Sequence, residues 1–119
     1  MKVALPVMGE KGMDEMIGGH FGKSPSFAIF DSRTKMVTTI SNTSEHMGGT
    51  GLPPELLAKN GVKVVVCSAL GPKAVDMLSS LGIDVYVGAC GTVKDGIDAW
   101  QMGKLEPANA NNACKEHHH

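Results

Sequence analysis

The chain has 119 residues, a length that suits one domain with a single hydrophobic core. Its 42% hydrophobic and 19% charged residues are ordinary for a globular protein, and its formal net charge of −1 argues against a nucleic-acid-binding surface. No apolar run is long enough to span a membrane, and the N-terminus is too short in apolar residues for a signal peptide. We therefore expect a cytoplasmic protein that contacts neither nucleic acid nor membrane.

The first half of the chain predicts three strands and two glycine-rich loops. Lys2–Val7 is expected to form the first strand, and an eighteen-residue loop follows it. A loop of that length in a small domain is usually functional or disordered. Ser26–Asp31 and Lys35–Ser41 predict an antiparallel hairpin, because a tight turn separates them. The second glycine-rich loop covers residues 42–51.

The second half alternates helices with strands. A helix is predicted to begin at Pro53 and to end at Asn60-Gly61, since proline suits the first helical turn and glycine the end. Val62–Cys67 is nearly all apolar, as in a strand that is covered on both faces. A second helix opening at Gly71-Pro72, a strand over Ile83–Val87 and a third helix over Thr92–Met102 complete the pattern.

This order of elements predicts an α/β fold with a five-stranded mixed sheet flanked by helices. The simplest arrangement places the first strand beside the fourth, which gives the order 3-2-1-4-5 with only the second strand antiparallel. Residues 1–106 would form the domain and residues 107–119 a flexible tail. The terminal run His117-His118-His119 is open to two interpretations: part of a purification tag, or a native tail that could bind nickel, cobalt, copper or zinc with Cys114.

The predicted topology brings scattered polar residues to one edge of the sheet. The loops after strands one, three, four and five carry His20, His46, Cys67 and Cys90 in turn, and ligands of open α/β sheets bind at this edge. The helix that opens at Gly71 adds unpaired N–H groups and a partial positive charge. Imidazole, sulfur and anion-binding amides together favour a negatively charged metal–sulfur species, with these four side chains as candidate metal ligands.

Other interpretations of the same residues stay open or are weakened. Cys67 ends a buried strand, where a cysteine is more often a small core residue, and a histidine in a glycine loop is often solvated. The three cysteines form no Cys-x-x-Cys pair, which argues against a disulfide framework. The first strand carries no carboxylate for Mg²⁺-dependent nuclease chemistry, and Gly22-Lys23-Ser24 lacks the upstream glycine of a P-loop.

Four segments in the same order make the chain resemble the dinitrogenase iron–molybdenum cofactor biosynthesis family, which includes NifX- and NafY-like proteins and the C-terminal domain of NifB. The resemblance covers about residues 1–106 and rests on these segments: Gly19-His20-Phe21-Gly22-Lys23-Ser24 with Phe27–Asp31, His46-x-Gly48-Gly49-x-Gly51, Gly71-Pro72-Lys73-Ala74, and Gly82-Ile83-Asp84-Val85-Tyr86. The chain would be a small, stand-alone member. The resemblance implies a ribonuclease-H-like fold without nuclease activity.

The resemblance also implies a role in nitrogen fixation or a related process, without catalysis. The chain would bind or carry an iron–sulfur or molybdenum-containing cluster precursor, with cofactor-assembly proteins as partners and a monomeric or weakly dimeric state. The family motifs assign cofactor contacts to His20 and His46, with backbone positions at Gly19, Gly48, Gly49 and Gly71.

Two rival functions remain at this point. One is a regulatory or interaction module that binds a small anion, a nucleotide or a partner protein without metal. The other is an enzyme with Cys67 or Cys90 as nucleophile, which is disfavoured because no recognisable motif places a base beside either thiol.

Overall fold

The computed structural model describes residues 1–43 and 52–108. It contains six strands and three helices in these parts of the chain: β1 (Lys2–Val7), β2 (Ser26–Asp31), β3 (Met36–Ser41), α1 (Pro53–Lys59), β4 (Val62–Val66), α2 (Pro72–Ser80), β5 (Asp84–Val87), α3 (Val93–Gln101) and β6 (Glu106–Pro107). A single 3₁₀ turn covers Gly12–Asp14. Within the described ranges, no helix has the length and hydropathy needed to cross a membrane.

The strands form one mixed sheet in the order β3-β2-β1-β4-β5-β6. The predicted order of the first five strands is confirmed, including the parallel pairing of β1 with β4 and the antiparallel placement of β2. The prediction of five strands is wrong, because Glu106–Pro107 pairs antiparallel with β5 as a sixth strand. A strand of only one glutamate and one proline has no apolar–polar alternation, which is the pattern that predicts a strand from sequence. The ribonuclease-H-like relationship stays a prediction.

Hydrophobic residues fill both faces of the sheet. On one face, Phe27 of the sheet shares a core cluster with Leu57 of α1 and Leu78 of α2. On the other face, Leu5 and Val66 of the sheet share a cluster with Ile97 of α3. Helix α3 lies close to the strands because it carries Gly96 at the contact. A Cβ at that position would lie 2.9 Å from Ile17 Cδ1 and 3.0 Å from Leu5 Cδ2.

The long segment between β1 and β2 is held in place by backbone hydrogen bonds. The Ile17 N–H donates to Gly91 O at 3.0 Å, and the Gly18 N–H donates to Pro6 O at 2.7 Å. The buried Glu15 carboxylate accepts bonds from the N–H groups of Lys11 and Met16 at 3.3 and 3.0 Å. This segment therefore has defined structure although it contains only one short 3₁₀ turn.

A reciprocal pair of hydrogen bonds closes the start of α3. Thr92 Oγ1 accepts from the Asp95 N–H at 3.2 Å, and Asp95 Oδ2 accepts from the Thr92 N–H at 3.0 Å. These bonds satisfy two backbone donors that the helix itself cannot pair. They also lower the pKa of Asp95 below its usual 3.8, chiefly through the bond from the Thr92 backbone.

We predict that Thr92→Ala lowers the free energy of unfolding by about 1 kcal/mol, because it removes the N-cap acceptor. Thr92→Ser is the matched control, since its hydroxyl can accept the same bond. Urea unfolding followed by circular dichroism measures both variants. Equal stability of the alanine and serine variants would contradict the prediction.

A second prediction concerns the pH dependence of stability. Because the folded-state pKa of Asp95 is lowered, its carboxylate stabilises the fold above the unfolded-state pKa, and this contribution is lost as the pH falls through the folded-state pKa. We expect Asp95→Asn to reduce stability at neutral pH and to lose less stability than the parent on acidification. Thermal melts at neutral and acidic pH measure this, and parallel pH profiles for the two proteins would rule it out.

Candidate functional site

A cavity of about 510 Å³ opens at the sheet edge where β1 and β4 end, and we call it the edge cavity. Its walls come from the loop after β1, the start of α1, the segment between β4 and α2, and the first turns of α2. The lining residues are Gly19, His20, Phe21, Gly22, Lys23, Leu52, Pro53, Pro54, Ala69, Leu70, Gly71, Lys73, Ala74 and Met77. The cavity lies at the predicted switch point, where ligands of open α/β sheets bind.

One wall is the His20 loop, which we define as Gly18–Pro25, and Asn42 holds it against the sheet. The buried Asn42 side chain donates to Gly22 O at 3.1 Å and to Ser24 O at 2.9 Å. Its backbone N–H donates to Pro25 O at 2.9 Å. Asn42 directly follows β3, so the edge strand fixes the end of the loop.

Packing inside the His20 loop accounts for three of its residues. Ser24 is buried and its hydroxyl donates to His20 O at 2.7 Å, which fixes the histidine backbone. A Cβ on Gly18 would lie 2.7 Å from Ser24 Oγ, so a larger residue there would force the serine hydroxyl to move. Phe21 is only 5% exposed and contacts Phe27 with ring centroids 5.2 Å apart. The loop is thus anchored by a core aromatic, while His20 itself is exposed.

The ionised side chains that line the edge cavity are all cationic. Lys23 and Lys73 contribute two positive charges, and no aspartate or glutamate is among the described lining residues. Gly71 is the N-cap of α2 and has no side chain to cap the helix. The N–H groups of Lys73 and Ala74 therefore have no acceptor within the helix and give the cavity an anion-binding end.

The rest of the lining is mostly apolar. Leu52, Pro53, Leu70 and Met77 are among the residues that form this surface. Apolar walls lower the local dielectric, so the lysine charges act more strongly on an anion than they would on an open surface. The site can hold an anion that also has a polarisable, weakly hydrated surface.

The structure brings together three of the predicted site residues. His20, Gly19 and Gly71 all line the edge cavity, although 51 positions separate His20 from Gly71 in the sequence. An added Cβ on Gly19 or Gly71 would meet nothing within 4 Å among the described residues, so both backbones border open space. His46, Gly48 and Gly49 lie outside the described residues, as do Cys114 and His117–His119.

The two thiols with described positions do not line the edge cavity. Cys67 is 1% exposed within the core cluster beneath α1 and α2, and its Sγ lies 3.8 Å from Tyr86 O as a donor. Cys90 is exposed in the segment between β5 and α3. Among residues 1–43 and 52–108, no three His, Cys, Asp or Glu side chains cluster as a metal site would require.

Lys23, Lys73, Phe21 and Met77 belong to the cavity wall, but the sequence did not assign them to the site. The positions of Lys23 and Lys73 could have indicated that they belong to the site. Each lysine lies within two residues of a glycine, in a segment predicted to reach this sheet edge. Met77 gave no such signal, because a methionine inside an amphipathic helix is usually a core residue.

Comparisons with known proteins agree with the fold and with the resemblance in the sequence. The family model described as dinitrogenase iron-molybdenum cofactor matches residues 1–103. An uncharacterised protein of Methanocaldococcus jannaschii is 32% identical over 111 residues, which cover 89% of this chain and 90% of that protein.

Solved structures show the same architecture. The apo form of the orange protein from Desulfovibrio gigas superposes with a TM-score of 0.81 at 25% identity, over 90% of this chain and 92% of that one. A candidate NifB protein from Thermotoga, solved by NMR, gives a TM-score of 0.72 at 27% identity, over 89% and 91% of the two chains. The arrangement of strands and helices is therefore shared with both proteins.

We predict that Asn42→Ala loosens the His20 loop, because the buried Ser24 carbonyl and the half-buried Gly22 carbonyl lose their side-chain donor. The expected loss of stability is about 1–3 kcal/mol, the usual cost of unsatisfied buried polar groups. Amide hydrogen exchange of residues 19–24 should accelerate more than exchange in α2. Asn60→Ala is the control, since its side chain donates to Leu56 O at 2.8 Å far along α1. Unchanged exchange in the loop of the Asn42 variant would contradict this role.

Proposed function

Since this chain belongs to the dinitrogenase iron–molybdenum cofactor family, we propose that it binds an anionic metal–sulfur cluster precursor in the edge cavity and carries it without catalysing a reaction. The family connects the chain with the biosynthesis or binding of the iron–molybdenum cofactor, and hence with nitrogen fixation. The cargo is the cluster precursor and its site is the edge cavity. The protein would deliver this cargo to cofactor-assembly proteins in the cytoplasm.

The observation that carries the proposal is the pairing of cationic groups with apolar walls in one cavity. Sulfide-bridged clusters carry net negative charge, and their sulfur surface is polarisable and less strongly hydrated than phosphate or carboxylate oxygen. Lys23, Lys73 and the N-terminus of α2 would offset the charge, while Leu52, Leu70 and Met77 would contact the sulfur surface. This combination supports a metal–sulfur anion over a strongly hydrated one.

The residue set also supports a carrier over a permanent holder. His20 is the described imidazole at the cavity, and the core position of Cys67 keeps that thiol away from it. A cargo held mainly by charge, amide N–H groups and packing can leave without breaking several metal–thiolate bonds. His46, Gly48 and Gly49 enter the proposal only through the family motif, as further contacts. Cys67 and Cys90 are given no role in it.

Anaerobic binding experiments test the proposal with two probes: tetrathiomolybdate, and ferrous iron supplied with sulfide. We expect Lys23→Gln and Lys73→Gln each to weaken binding by about tenfold, because each removes a charge-assisted contact. Lys35→Gln and Lys63→Gln are matched controls, since both lysines are exposed and lie outside the cavity lining. Absorption spectra with metal and sulfide analysis measure the bound species.

His20→Ala and His46→Ala test the imidazole contacts in the same assay. We expect each to retain less metal and sulfide than the parent protein. Full retention by both variants would overturn the assignment of the histidines. Equal loss in the cavity and control lysine variants would overturn the assignment of the cavity, since a general charge effect would then explain the result.

The main alternative is a module that binds a phosphate-containing anion without metal. Two lysines and a helix N-terminus would also suit a phosphate group. Thermal shift measurements with inorganic phosphate and nucleotides, beside the two metal–sulfur probes, separate the two functions. Stabilisation by phosphates alone would replace the carrier function with the anion-binding one.

A further inference from the structure

The two edges of the sheet differ in how they are protected against pairing with other strands. One edge ends in β6, which has two residues and includes a proline. The other edge is β3, a six-residue strand that contains neither a charged residue nor a proline and pairs with β2 in continuous register. Natural sheets usually protect a long edge with charge, proline or a bulge. The described part of the sheet shows none of these within β3.

The hydrogen bonds at the end of the hairpin show which backbone groups of β3 point outward. The Asn42 N–H donates to Pro25 O, so residues 42 and 25 form a hydrogen-bonded pair. Hydrogen-bonded and non-hydrogen-bonded pairs alternate along an antiparallel ladder. Met36, Thr38 and Ile40 therefore direct their backbone groups toward β2, whereas Val37, Thr39 and Ser41 direct theirs away from the sheet.

We propose that β3 pairs antiparallel with β3 of a second copy of this chain, about a two-fold axis at Thr38. Such an axis, perpendicular to the sheet, keeps equivalent faces of both copies on the same side. It places Val37 opposite Thr39 of the second copy, and both positions have outward backbone groups. The outward donors of each strand then meet the outward acceptors of the other.

The side chains in this register are self-complementary. Met36 is 64% exposed and comes opposite Ile40 of the second copy, while Thr38 comes opposite its own equivalent. Apolar pairs and threonine pairs are favourable across antiparallel strands. Lys35, just before β3, comes opposite Ser41, so no like charges face each other. Moving the axis to Thr39 would place Met36 opposite the buried Asn42, which already holds the His20 loop.

The pairing would join the two copies into one continuous sheet. Because the two β3 strands are antiparallel, the two edge cavities would lie at opposite ends of the strand direction. Contact through a single strand buries less surface than a standard stable interface. The dimer is therefore weak, and its population depends on protein concentration. A second copy fits better than an unrelated strand, because in this register the outward N–H and C=O groups of both β3 strands pair with each other in one symmetric set of hydrogen bonds.

A charge exchange at position 38 tests both the partner and the register. Thr38 is exposed, so Thr38→Lys and Thr38→Asp each leave the monomer folded, as circular dichroism can verify. Each variant alone places like charges at the two-fold axis and should sediment as a monomer at concentrations where the parent dimerises. An equimolar mixture of the two should recover the dimer in analytical ultracentrifugation, because opposite charges then meet.

A proline at position 39 tests the hydrogen bonds independently. Its N–H points outward, so Thr39→Pro spares the ladder with β2 but removes two symmetric intermolecular bonds. We expect the dimer dissociation constant to rise by about thirtyfold. Thr39→Val is the matched control, since it keeps the N–H and should dimerise like the parent.

Three outcomes would overturn the proposal. The first is a parent protein that stays monomeric up to its solubility limit, which would leave β3 to a strand of another protein. The second is a dimer that survives Thr38→Lys or Thr39→Pro, because the contact would then lie elsewhere. The third is a mixture of the lysine and aspartate variants that remains monomeric.

Discussion

The parallel pairing of β1 with β4 is the interaction on which the site depends. It sets Val3 beside Val64 and Ala4 beside Val65, and it brings two segments together that are far apart in the sequence. The segment that leads to the His20 loop leaves β1 at the same edge at which the chain leaves β4 toward Gly71. Because the connections from these two strands diverge, a space opens between them, and the edge cavity occupies it.

The cavity combines cationic groups with apolar walls. Its cationic groups come from side chains of two different segments and from the N-terminus of α2, while its apolar walls come from α1, α2 and the chain before α2. Charge alone would favour any anion, and apolar contact alone would favour a neutral ligand. Together they favour an anion with a soft surface, which is the physical basis of the proposed cargo.

One residue, Asn42, connects the edge strand β3 with the wall of the cavity through hydrogen bonds. Asn42 follows β3 directly and holds the His20 loop by its side chain and its backbone. The positions of His20 and Lys23 in the cavity lining therefore depend on the residue that ends the β2–β3 hairpin.

The sequence by itself determined three helices and five strands, the order of those strands, and the sheet edge at which a site is expected. Those features follow from local apolar patterns and from the rules of strand connection, which act over short stretches of chain. Tertiary structure decided the rest. It placed Cys67, the residue after β4, in the core cluster that also contains Leu57 and Leu78. It also added β6 through pairing that has no local signal.

Packing also decided which residues form the cavity wall. Lys73 and Met77 share one wall because they lie four residues apart on α2. Lys23 belongs to the same lining on the His20 loop, which contacts of Phe21 and Asn42 hold in place. The sequence could place His20, Gly19 and Gly71 at one edge of the sheet. Which side chains meet across that edge depends on helix position and loop packing, and those are set by contacts between residues distant in the chain.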